Sequence, residues 1–226
     1  MTEQYPPVSL DDLNKHPGKR LMWMLLAYGS TKDILSMNGY EVLRFTQEIE
    51  SGRFSKIALD PSRRLEYRDF QNHLIRYFHN FLAGAKTVVE HTRNMMRSAE
   101  ICEEHRTAYK AQVEAIFADS LSKFIEDFRN YMMHFGLPNL VHICSLPNER
   151  WEVVIDMARL QSWDGWTARS RQFIQSQPER IRLYALVEIY LNKTKTLHEW
   201  LVKSFETFYS NTMKDYDALH ERLHKK

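Results

Sequence analysis

Along most of the chain the apolar residues recur three and four positions apart, the spacing of helices buried along one face. From residue 63 to about 99, Leu65, Phe70, Leu74, Tyr77, Phe78, Phe81, Val88 and Met95 keep this period and predict one long helix, with a break near Gly84. A second helical region, residues 106 to 135, carries Val113, Ile116, Phe117, Leu121, Phe124, Ile125, Phe128 and Met132 on its apolar side. Gly136, Leu137 and Pro138 stop it, since glycine tolerates a left-handed cap and proline cannot extend a helix. The pattern Ser176-Gln177-Pro178-Glu179 reads as a capping box opening a helix at Arg180. That helix runs to about Lys193 and continues through Trp200, Phe205, Phe208, Tyr216 and Leu219 as a core pillar.

The remaining segments carry weaker patterns. Residues 1–20 are polar and contain proline, and read as an N-terminal arm. Residues 21 to about 50 predict short helices interrupted at Gly29, Gly39 and Gly52, and residues 56–60 a short strand or a loop. Residues 140–144 and 151–155 alternate apolar and polar around Leu146-Pro147-Asn148-Glu149, the pattern of a small β-hairpin. Asp164 to Arg171 reads as a helix start, capped by Asp164 or Thr167 with Trp166 packed inward. No linker or repeat divides the rest, so residues 21–226 form one domain, mainly α.

Composition narrows the function classes. With 226 residues and 43% hydrophobic content, the chain is long enough to bury a core, and its seven glycines and seven prolines are few for a loop-rich β-sandwich. The net charge of +2 gives no whole-molecule attraction to polyanions, so any nucleic-acid site must be local. Cys102 and Cys144 are too few for a disulfide framework and lack zinc-ligand spacing, which fits a reducing, cytoplasmic setting. The start of the chain has no signal-peptide pattern, and the longest apolar stretch, residues 21–28, is too short to span a bilayer.

The chemistry concentrates in residues 121–134. At 100° per residue, Glu126, Asp127, Arg129, Asn130 and His134 fall within an arc of about 160°, opposite Phe124, Ile125, Phe128, Tyr131 and Met132. An imidazole moves protons near neutral pH, a guanidinium holds phosphate bidentately and an amide orients either one. That set suits attack of a ribose 2′-hydroxyl on the adjacent phosphate without a metal. His134 at a helix C-terminus favours its protonated ring, hence a general-acid or phosphate-holding role. Arg129 and His134 lie about 140° apart on one helix, so they meet at a single phosphate only through a distorted helix end or a second chain.

Arg129-Asn130-Tyr131-Met132-Met133-His134 resembles the Arg-Asn-x-x-x-His motif of the HEPN superfamily. The resemblance implies a bundle of long antiparallel helices, metal-independent endoribonuclease activity with no cofactor, and a homodimer whose Arg and His form a composite site. It further implies a toxin or antiviral-defence effector of the abortive-infection or type VI CRISPR effector kind, held in check by an antitoxin-like inhibitory partner. Arg129 would bind the scissile phosphate, His134 would transfer a proton or hold that phosphate, and Asn130 would orient the site, with Glu126 and Asp127 supporting them. The bare spacing is weak evidence, since Arg68 to His73 repeats it. Asn130, the polar arc and the helix stop distinguish the second occurrence.

Arg63, Arg64, Arg68 and Arg76, interleaved with Tyr67, Phe70 and Tyr77, could track an RNA backbone or simply snorkel from a helix. His91, His105, His142 and His198 stand apart, and no metal-ligand spacing or nucleotide-binding loop appears. The competing function is a non-catalytic helical dimer that binds RNA or a protein partner through the same polar face.

Overall fold

The computed structural model describes residues 9–138, 140–145 and 150–224, and the chain is mainly α. Helix formation begins earlier than expected. Ser9 and Asp12 cap each other's backbone at the start of α1 (Leu10–Lys15). His16 then accepts the Gly18 N–H, and Pro17 opens α2 (Pro17–Glu50) at the position where a missing N–H costs nothing. The expected arm is therefore helical from Leu10 on, apart from His16 between α1 and α2; residues 1–8 lie outside the described residues.

Helix α2 is continuous through Gly29 and Gly39, where short helices were expected. Each glycine costs about 1 kcal/mol of helix propensity. Burial of Leu21, Tyr28, Leu35, Val42 and Ile49, each contributing roughly 1.5–3 kcal/mol, exceeds that penalty. Gly52 ends the run with φ near 78°, a conformation disfavoured for other residues. Residues 56–60, expected as strand or loop, fall in the short helix α3 (Ser55–Ala58) and its exit into a 3-10 turn (Pro61–Arg63) capped by Asp60.

Helix α4 (Arg64–Met96) is unbroken at Gly84, which passes tightly against Leu35 of α2. The second helical region divides into α5 (Glu103–Phe117) and α6 (Ser120–His134), because Asp119 accepts the Ser122 N–H and starts a new helix. Helix α9 (Leu183–His224) is the expected pillar, 42 residues long. Helix α2 packs against both α4 and α9, while α4 also carries α6. His105 of α5 bridges the hydroxyls of Tyr209 and Ser204, fastening α5 to α9 in the core.

The hairpin pairs β1 (Leu140–Ser145) with β2 (Arg150–Asp156), from Leu140 opposite Ile155 to Ser145 opposite Arg150. Its expected turn, residues 146–149, lies outside the described residues. A third strand, β3 (Arg180–Arg182), pairs with the other edge of β2, where the sequence predicts a helix start. Ser176 instead closes α8 (Ala168–Ser176), whose side chain bonds the Phe173 carbonyl, and α9 waits until Leu183. The short α7 (Met157–Leu160) links β2 to the segment before α8.

Candidate functional site

Helix α6 is held on two sides. Phe128 meets Phe78 of α4 edge-on at 5.3 Å, and Phe124 packs on Phe173 of α8 at 4.7 Å. Its apolar face is thereby buried as the wheel requires, with Phe124, Ile125, Phe128, Tyr131 and Met132 all in the core. The polar arc is less uniform than the wheel suggests.

Asp127 is buried and turned toward α8. Its Oδ2 accepts the Thr167 N–H at 3.2 Å, the Thr167 hydroxyl at 2.6 Å and the Ser170 hydroxyl at 2.6 Å. Desolvation acts to raise this carboxyl, but the bonds from Ser170, Thr167 and Lys123 outweigh it and hold it below the ordinary carboxylate range. Thr167 caps α8 in turn, as the sequence suggests. Glu126 is clamped between Lys86 of α4 at 3.1 Å and Lys123 at 3.0 Å. Desolvation opposes its ionisation, and the two lysines prevail. Both carboxylates expected to support Arg129 and His134 are thus engaged elsewhere, in the joints of α6 with α4 and α8.

Arg129 and Asn130 are half-buried, and the Arg129 guanidinium donates to the Asn130 amide oxygen at 3.4 Å. His134 is exposed on the last turn of α6, where the Phe135 and Gly136 N–H groups both close onto the Tyr131 carbonyl. Gly136 does not take the left-handed conformation expected of it; among the described glycines that conformation is found at Gly52. Because α6 stays regular to His134, Arg129 and His134 keep their angular separation and do not converge within one chain.

Two side chains packed at the end of α6 were not visible in the sequence. His79 of α4 places its Nε2 3.5 Å from the Met133 sulfur, bringing a second imidazole beside the end of α6. Phe135 and Trp163, with ring centroids 6.4 Å apart, extend an aromatic group that also contains Tyr131 and Trp166. Trp163 and His79 come from other elements, so only the folded chain reveals them. Their local signals are a Trp-Asp-Gly-Trp loop and a lone histidine in a helix.

Of the four arginines, Arg63 is held by Glu66 at 2.6 Å, and Arg76 lies over the Tyr77 ring at 5.1 Å with a contact to His73. Arg64 and Arg68 are exposed. Arg68, Asn72 and His79 share one face of α4 within roughly 40° of arc, spanning about 16 Å of its length. Arg64 and Arg68 thus lead along α4 toward His79, whereas Arg63 is committed to its ion pair. No group of three His, Cys, Asp or Glu side chains is arranged to hold a metal ion among the described residues.

No described helix is long and apolar enough to cross a membrane. No protein-family model, curated protein or solved structure matches the chain.

Proposed function

We propose that the chain is a metal-independent endoribonuclease of the HEPN type, cleaving RNA through attack of a 2′-hydroxyl on its own phosphate. The observation that carries this reading is an exposed imidazole, His134, ending α6 directly after Met133, whose sulfur lies 3.5 Å from the imidazole of His79 on α4. Two histidines suit the reaction, since one accepts the 2′-hydroxyl proton while the other protonates the leaving 5′-oxygen. Arg129 neutralises the charge that grows on the phosphate, and Asn130 keeps the guanidinium oriented. Phe135 and Trp163 offer faces on which an unpaired base stacks, and Arg64 and Arg68 follow the backbone beyond it.

Since Arg129 and His134 diverge on a regular helix, the composite site takes them from two copies of the chain in a homodimer. A cytoplasmic toxin or defence effector with an inhibitory partner fits the same reading, and its support is the motif resemblance alone. A second reading, a non-catalytic dimer that binds RNA or a protein, is favoured by the exposed Met133, Phe135 and Leu137 around His134. Purified chain incubated with total RNA in EDTA separates the two. Cleavage by wild type and its loss in both Arg129→Ala and His134→Ala supports the nuclease. Intact RNA with wild type, or equal cleavage by all three proteins, leaves the binding reading.

A further inference from the structure

Helix α2 buries one face between α4 and α9 and leaves the opposite face bare. Trp23, Leu26, Ile34, Met37 and Tyr40 lie on that face, each between 53% and 68% exposed. At 100° per residue they fall within roughly 120° of arc, with the exposed Ser30 at its centre. Five large apolar side chains along one helix exceed the scattered exposure of an ordinary surface. Nothing in the fold requires them there, because the core residues of α2 alternate with them on the other side.

The stripe reads nearly the same in both directions. About a midpoint between Thr31 and Lys32, an antiparallel copy sets Trp23 against Tyr40, Leu26 against Met37 and Ser30 against Asp33. On one flank it sets Ile34 beside the small, exposed Ala27 of the other copy. Aromatic faces aromatic, aliphatic faces aliphatic, and the branched Ile34 lies over the short Ala27 side chain. Arg20, which its own chain pairs with Glu100 at 2.6 Å, comes beside Glu41 of the other copy. The like-charged Lys19 and Arg44 at the rim are already held, by Asn14 and by Glu48. Covering the five side chains on each copy removes roughly 600 Å² per chain, or about 1,200 Å² in all, the lower end of a stable specific interface.

We propose that α2 is a homodimer interface in which two copies pack antiparallel about a two-fold axis near residues 31 and 32. A self-complementary patch of this kind is satisfied by a single partner copy across a two-fold axis. The contact does not rest on the ribonuclease reading, because α2 carries none of Arg129, Asn130, His134 or His79.

Light scattering coupled to gel filtration, over a hundredfold range of loading, gives the mass of wild type and of Met37→Asp. A Met37→Asp mass half that of wild type, with an unchanged helical circular dichroism spectrum, is the expected result. The register is read by mild oxidation on non-reducing gels. The double variant Leu26→Cys with Met37→Cys cross-links to a dimer well above the wild-type background from Cys102 and Cys144, and Leu26→Cys alone does not. A wild-type monomer at every loading overturns the proposal, as does a Met37→Asp protein of the same mass as wild type. Cross-linking of Leu26→Cys alone overturns the antiparallel register. RNA cleavage measured on the same Met37→Asp protein reports on the nuclease separately.

Discussion

The carboxylate of Asp127 accepts both the backbone N–H and the hydroxyl of Thr167, at 3.2 and 2.6 Å, joining α6 to the first turn of α8 across forty residues of sequence. The Ser170 hydroxyl adds a third bond to the same oxygen. Removing the carboxylate strands the buried Ser170 hydroxyl and frees the Thr167 cap, so Asp127→Ala is expected to cost about 2–4 kcal/mol in a urea melt, and Asp127→Asn less. The folded carboxyl ionises below its ordinary 3.8, so its contribution is complete above that value and fades as pH falls through the lower folded value. A wild-type acid limb below pH 4 that is shallower in Asp127→Ala verifies the assignment.

His142 faces α4 from β1, with Nδ1 2.8 Å from the Tyr67 hydroxyl and Nε2 buried without a partner. Burial pushes the ring down from 6.5 to about 4. The unfolded chain therefore gains its proton first, and stability declines as pH drops from 6.5 toward 4, by up to about 3 kcal/mol. His105 and His198 are also lowered by burial, so the test is the difference between wild type and His142→Phe. That difference should change across this window and level off on either side of it. A constant difference would assign the slope to the other two rings.

For the proposed chemistry, single-turnover cleavage of a short labelled RNA in EDTA should fall at least about a hundredfold in Arg129→Ala and in His134→Ala. His79→Ala should lower the rate about tenfold or more and remove one limb of the pH–rate profile. Phe135→Ala should weaken RNA binding and leave the cleavage step of bound RNA nearly unchanged.

Gly84 tests the joint between α2 and α4. A side-chain carbon there would sit 3.2 Å from the Leu35 Cα, closer than backbone readily yields. Alanine gains up to about 1 kcal/mol of helix propensity, but overpacking two long helices costs about 1–3 kcal/mol. Gly84→Ala is accordingly expected to melt lower than wild type by differential scanning calorimetry.

Much of this architecture is written in local periodicity. The long helices α4 and α9 and the β1–β2 hairpin follow directly, because one buried face imposes its spacing over many residues. The misjudged places are those where a distant partner decides. Gly29 and Gly39 look like breaks until the core side of α2 is seen packed on two other helices. Strand β3 is three residues long and takes its conformation from the free edge of β2, while the Ser176–Glu179 pattern mimics a cap. The break between α5 and α6 did have a local signal, Asp119 three residues before Ser122, which the continuous apolar pattern masked. At the candidate site, Arg129, Asn130 and His134 are adjacent in sequence and so legible together. The other bonds of Asp127 and Glu126, and the approach of His79 and Trp163, depend on α4 and on the loop before α8.

Near the start of α2, a carbon added at Gly18 would lie 2.6 Å from Cβ of Tyr216, and the His16 ring rests 5.6 Å from the Tyr216 ring. The first helical turns and the last stretch of α9 are therefore latched to each other. Held in this way, the start of α2 and the last stretch of α9 do not fray independently of each other. Amides near residues 18–28 and 209–216 should exchange with solvent as one unit, so that loosening either end releases both.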